Sequence, residues 1–154
     1  MAKDDYLKYW RVIRYYTMQK YKLKTAELEM LLFLRSEKYF TKQKFKEFDE
    51  LLPWRERRFE ELLRDGWIEV FSKKKNHTHK TIYKLSLRSQ RMMTNMYNQL
   101  SGEELSEEPY VNPIFKKKVK YTDKVYRNMI KKMNKITRQQ QRPSQESQSP
   151  DYPQ

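Results

Sequence analysis

The sequence predicts a mainly α-helical domain with one small β-hairpin, an α+β fold, on two patterns and one bound. Apolar residues recur at helical spacing through six stretches, most of them bounded by a capping residue or a helix breaker, and the period changes to that of strands only across residues 67–85. The bound is composition: 32 of 154 residues are Leu, Ile, Val or Phe, so one modest core is the ceiling and the 15 Tyr and Trp and 8 Met must help to fill it.

The first stretch, Tyr6 to Tyr21, has ten apolar or aromatic residues among sixteen, with charge along Lys8, Arg11, Arg14 and Lys22. A helix this widely apolar must bury two sides. Thr25 is a candidate N-cap for a second helix carrying Leu28, Leu31, Leu32 and Arg35, which ends at the polar break Ser36–Lys38. Thr41 can cap a third, with Phe40 and Phe45 in the two positions of a hydrophobic staple and Phe48 and Leu52 continuing the stripe to Pro53. A fourth helix is expected from about Trp54 to Asp65, with Phe59, Leu62 and Leu63 on one face and Gly66 as its left-handed stop.

Trp67–Phe71 and Thr81–Leu85 read as the strands of a hairpin whose loop, Ser72 to Lys80, is basic. Ser86 can cap a fifth helix with Met93, Met96, Tyr97 and Leu100 in one stripe, ending near Gly102. These elements make a domain of residues 1–102. An acidic, Pro-containing flexible linker is expected at 103–113, then a basic amphipathic helix within 114–138 capped by Thr122, and a disordered Gln/Ser/Pro-rich tail at 139–154.

Several functional classes are excluded or unsupported. With only Gly66 and Gly102, neither a P-loop nor a dinucleotide fingerprint can be written. The absence of cysteine removes disulfides, thiol catalysis and Cys-based zinc sites, and fits a reducing compartment. His77 and His79 alternate in a strand-like loop with no third ligand nearby, so no metal site is expected. Glu103, Glu104, Glu107 and Glu108 have no His or Lys fixed against them in a flexible linker, and no Ser/His/Asp arrangement is readable, so no enzyme, cofactor or small-molecule ligand is supported. The longest apolar run, Met30 to Leu34, is five residues, far short of a membrane span, and the start has no signal-peptide core. The expectation is a cytoplasmic protein with no membrane partner.

Charge points to a polyanion. The net charge is +14, and residues 115–138 alone carry ten basic residues against one acidic. Nucleic acid is the commonest partner for such a field, with anionic membrane and acidic protein also compatible on charge alone.

Three helices, a fourth stopped by glycine and a hairpin with a basic loop follow the order of a winged helix-turn-helix. Leu62-Leu63-Arg64-Asp65-Gly66-Trp67-Ile68, followed after the hairpin by Tyr83-Lys84-Leu85-Ser86, resembles the end of the recognition helix, the wing and the start of the next helix in MarR-type transcriptional regulators. The resemblance covers roughly residues 5–101, in element order more than in identities. It implies a DNA-binding transcription regulator, typically dimeric through its terminal helices, with Arg57 at the position of a base-contacting arginine. The loop departs from the family, whose wing commonly carries an Asp and an Arg, because no acidic residue stands between Ser72 and Lys80.

Helical geometry agrees on Arg57: with Phe59, Leu62 and Leu63 buried, Trp54, Arg57, Glu61 and Arg64 fall on the opposite side. The N-terminal turns of such a helix meet bases in the major groove, where Arg bridges guanine O6 and N7. Arg55 and Arg58 suit a phosphate-contacting or a structural role. On the wing, Lys73, Lys74, Lys75 and Lys80, with Asn76 and Thr78, suit the DNA backbone. The alternative is that these residues are simply the solvated sides of a helix and a hairpin.

The last helix places Val125, Tyr126, Met129, Ile130, Met133 and Ile136 on one face and Lys124, Arg127, Lys131, Lys132 and Lys135 away from it. The first helix offers Tyr6, Tyr9, Trp10, Ile13 and Tyr16 on one side and Leu7, Val12, Tyr15 and Met18 toward the other. Interlocking of these helices between two chains predicts a homodimer through Tyr6, Tyr9, Trp10, Ile13, Val125, Met129, Ile130 and Met133; packing within one chain is the alternative. The basic face is then free to extend a DNA footprint or to bind an anionic second partner. A non-enzymatic architectural or interaction protein that binds nucleic acid or a partner protein non-specifically is the competing functional reading.

Overall fold

The computed structural model describes residues 5–52, 57–74, 80–117 and 119–142. Its elements are α1 (Tyr6–Tyr21), α2 (Thr25–Arg35), β1 (Tyr39–Phe40), α3 (Lys42–Asp49), α4 (Arg57–Arg64), β2 (Ile68–Ser72), β3 (Ile82–Leu85), α5 (Leu87–Leu100), a 3₁₀ turn (Pro113–Phe115) and α6 (Tyr121–Gln141). The chain is mainly helical, with one small antiparallel sheet in the order β1-β3-β2.

Local capping chemistry sets most of the boundaries. The Thr41 hydroxyl accepts from the Lys44 N–H at 3.3 Å, opening α3, and Ser86 does the same for the Ser89 N–H at 3.3 Å, opening α5. Gly66 ends α4 at φ +78°, with the Gly66 N–H on the Leu63 carbonyl and the Trp67 N–H on the Leu62 carbonyl. These two bonds are the Schellman pair, and they turn Trp67 and Leu62 into the same core. Two expected caps are corrected. Lys24, extended at φ −78°, takes the cap position of α2, and Thr25 is the first helical residue, its hydroxyl turned to Met18 Sδ. For α6 the cap is Lys120, whose N–H donates to Asp123, so the helix starts one residue before Thr122.

The hairpin is joined by a strand the periodicity could not announce. Tyr39 pairs with Lys84 and Phe40 with Tyr83, so β1 lies against β3 on the edge opposite β2. Two residues are too few to display alternation. On the inner face, Phe59 of α4 stands edge-on to Phe45 at 5.0 Å and to Tyr83 at 4.9 Å, which fastens α3 and α4 to the sheet. Leu28, Leu31 and Leu34 of α2 and Met92, Met93 and Met96 of α5 complete this core.

The C-terminal part packs onto the same body, contrary to the flexible linker expected at 103–113. Leu105 and Asn112 are buried there. Asn134 of α6 accepts from the Leu105 N–H at 3.0 Å and donates to the Leu105 carbonyl at 2.8 Å, closing a two-bond clamp on the strap. Arg138 reaches Glu104 at 2.7 Å and Glu107 at 3.2 Å. Beyond the strap, α6 lies against α1: Tyr15 stacks on Tyr126 at 3.9 Å and donates to Asp123 at 2.5 Å. Helix α6 continues through Gln141, past the expected end at 138, and residues 143–154 of the expected tail lie outside the described residues.

Candidate nucleic-acid interface

Trp54 and Arg55 lie outside the described residues, as does the side chain of Arg57, which opens α4. Arg58 is half-buried and acts electrostatically on Glu27 of α2, whose carboxyl burial pushes above its ordinary value while Lys24 and Arg58 pull it back. That partner favours a structural role for Arg58 over a phosphate contact. Arg64 is exposed and donates to Asp65 at 3.1 Å, a hydrogen bond that holds its guanidinium in the charged form. On the neighbouring α3, Lys42 pairs with Glu60 of α4 at 3.1 Å and Lys44 with Glu47 at 3.2 Å. The α3–α4 surface therefore satisfies much of its own charge.

The hairpin differs. Lys73, Lys74 and Lys80 are exposed, and the Lys74 N–H donates to the Thr81 hydroxyl at 3.2 Å, tying the two sides of the loop together. Lys75, Asn76 and Thr78 lie outside the described residues, as do His77 and His79. Among the described residues no group of three His, Asp or Glu side chains is placed to hold a metal ion. Among the described residues no helix is long and apolar enough to cross a membrane.

Of the residues assigned to a chain–chain contact, Tyr9, Ile13, Ile130 and Met133 are buried within the single chain. This overturns the premise that α1 and α6 each have a face to spare there: α6, the strap and the 3₁₀ turn cover the second side of α1. Tyr6 and Val125 remain exposed, and Trp10 and Met129 are half-covered. Tyr6 and Trp10 line an apolar groove of about 310 Å³ with Leu32, Met96, Tyr97 and Leu100.

The basic face of α6 also divides. Arg127 is turned inward, donating to the Ile114 carbonyl at 2.5 Å and to the Lys116 carbonyl, so it braces the 3₁₀ turn. Lys124, Lys131, Lys132 and Lys135 are exposed and have no carboxylate partner among the described residues. Sequence periodicity missed Asn134, although a polar residue four places after Ile130 on an apolar stripe was the available signal. No protein-family model, no curated protein and no solved structure matches this chain.

Proposed function

We propose that the chain is a double-stranded DNA-binding transcriptional regulator built as a winged helix-turn-helix. Helix α4 enters the major groove, and the β2–β3 loop lies on the flanking backbone. One observation carries the reading: the run α2-β1-α3-α4-β2-β3, with β1 paired to β3 beside a hairpin that ends in a basic loop. This order brings a short helix and a lysine-rich loop to one body. The MarR-type resemblance points the same way and adds a homodimer, acting on DNA in the cytoplasm, that reads a pseudo-palindrome with half-sites about one helical turn apart. Such a dimer would have to use Tyr6, Trp10, Val125 and Met129. Binding to a random duplex library, with sequencing of the bound fraction, tests the reading. An enriched palindrome supports it, and recovery without sequence preference overturns it.

A second reading is favoured by the lysines of α6: a non-enzymatic architectural protein that holds nucleic acid or another anionic partner through charge alone. Uniform recovery from the same library, with affinity that falls steeply with salt, selects this reading.

A further inference from the structure

The outer face of the sheet, opposite the face that α4 packs on, carries chemistry that a duplex on α4 leaves unused. In register, Tyr39, Lys84 and Glu69 lie side by side across β1, β3 and β2. Phe71, two residues after Glu69 and unpaired at the irregularity between Val70 and Ser72, lies on this side too, where its ring meets Tyr39 at 4.4 Å, with Lys84 Nζ 5.7 Å from the Phe71 centroid. Both rings are about half exposed, at 44% for Tyr39 and 51% for Phe71. An aromatic pair with a face open to solvent offers a base a surface on which to stack.

Beside Tyr39 opens a cleft of about 510 Å³, lined by Arg35, Lys38, Lys84, Gln90 and Thr94 together with Tyr39 itself. Three cations and no carboxylate line it, and of the three Lys84 also pairs with Glu69 of β2 at 3.4 Å. Arg35 is held in place by the Tyr97 ring at 4.2 Å, and neither Arg35 nor Lys38 has a carboxylate partner among the described residues. Lys38 stands at φ +51°, left-handed backbone that a lysine rarely adopts, with its ammonium 5.6 Å from the Tyr39 centroid. Gln90 donates to the Leu85 carbonyl at 3.1 Å, which leaves its amide oxygen to accept from a ligand. The volume suits one small ligand, and the lining asks for an aromatic ring joined to an anion.

We propose that this cleft binds one nucleoside phosphate, either free or as a unit of unpaired nucleic acid, with the base on Tyr39 and the phosphate among Arg35, Lys38 and Lys84. The site is independent of the duplex-binding reading, because no residue of α3 or α4 lines the cleft.

The full-length chain is titrated in calorimetry with adenosine 5′-monophosphate, an unpaired eight-residue oligothymidylate and inorganic phosphate. Binding of the monophosphate identifies a free nucleotide as a ligand, and binding of the oligomer alone identifies an unpaired strand. In either case Tyr39→Leu lowers affinity about tenfold, the loss of one stacked base. Lys38→Gly lowers it too while leaving the melting temperature unchanged or raised, because glycine fits the left-handed backbone better than lysine. The second variant separates a ligand-binding role from a structural one. The proposal is overturned if neither nucleotide probe binds at millimolar concentration, if inorganic phosphate binds as tightly as the nucleotides, or if both variants bind like the parent chain.

Discussion

Two surfaces of this chain rich in lysine and arginine are built on opposite principles. Residues 42–65, which contain α3 and α4, carry seven basic and seven acidic residues, whereas residues 115–138, which contain most of α6, carry ten and one. Around α4 the charges answer each other through Lys42–Glu60, Lys44–Glu47 and Arg64–Asp65. Along α6, among the described residues, only Arg127 and Arg138 are spent on the chain's own carbonyls and carboxylates. A balanced surface creates little long-range field, so on the proposed reading α4 would hold nucleic acid through short-range, sequence-dependent contacts. An unbalanced one attracts any polyanion and is screened by salt. Density of basic residues alone would have ranked these surfaces the same way, and only the pairing explains why they should differ in specificity.

The comparison breaks most visibly if α6 is not anchored. Replacing Asn134 by Leu keeps the branching at Cγ but leaves the buried Leu105 N–H and carbonyl without partners, and should cost about 3 kcal/mol of unfolding free energy, as one to three per orphaned group would give. Chemical denaturation followed by circular dichroism measures it, and an unchanged midpoint would mean that the strap does not hold the helix. Arg57→Ala should weaken binding to a selected duplex by about 1–3 kcal/mol, the loss of one bidentate base contact, with little change on random DNA. Equal losses on both would remove α4 from base reading.

Salt sharpens the contrast. Changing Lys131, Lys132 and Lys135 to Gln should flatten the slope of log K against log salt by up to about 2.7 if all three touch phosphate. The same change at Lys42, Lys44 and Lys46 should leave the slope nearly unaltered, since Lys42 and Lys44 already face Glu60 and Glu47. Equal slopes from the two triple variants would erase the distinction.

The smallest effect is one of pH and reports on the α1–α6 contact. Burial first, and then the hydrogen bond to Asp123, push the Tyr15 hydroxyl from 10.0 up to about 12. The folded state thus keeps a proton that the unfolded chain gives up. The stabilisation is complete below pH 10 and fades as pH rises toward about 12. Unfolding midpoints across that window should fall more steeply for the parent chain than for Tyr15→Phe, and parallel curves would show that the hydroxyl is not held.

Much of the helical framework is legible in the sequence because its signals are local. A threonine or serine before an apolar run satisfies the first free N–H groups, and glycine alone adopts φ > 0 without strain, so the openings of α3 and α5 and the end of α4 follow from Thr41, Ser86 and Gly66. The hairpin and the segregation of charge are legible for the same reason. Of the candidate duplex interface, the charge of its residues was readable, but their pairing was not, because Lys42 and Glu60 are eighteen positions apart. What the tertiary structure alone decided is which apolar face meets which. It laid α6 on α1 of the same chain, drew residues 103–113 into a buried strap, added Tyr39 and Phe40 to the hairpin as a third strand and turned Arg127 and Arg138 into braces. Periodicity marks a face as apolar without naming its partner, and a two-residue strand or a single buried Asn has no period, so these choices rest on contacts between residues distant in the chain.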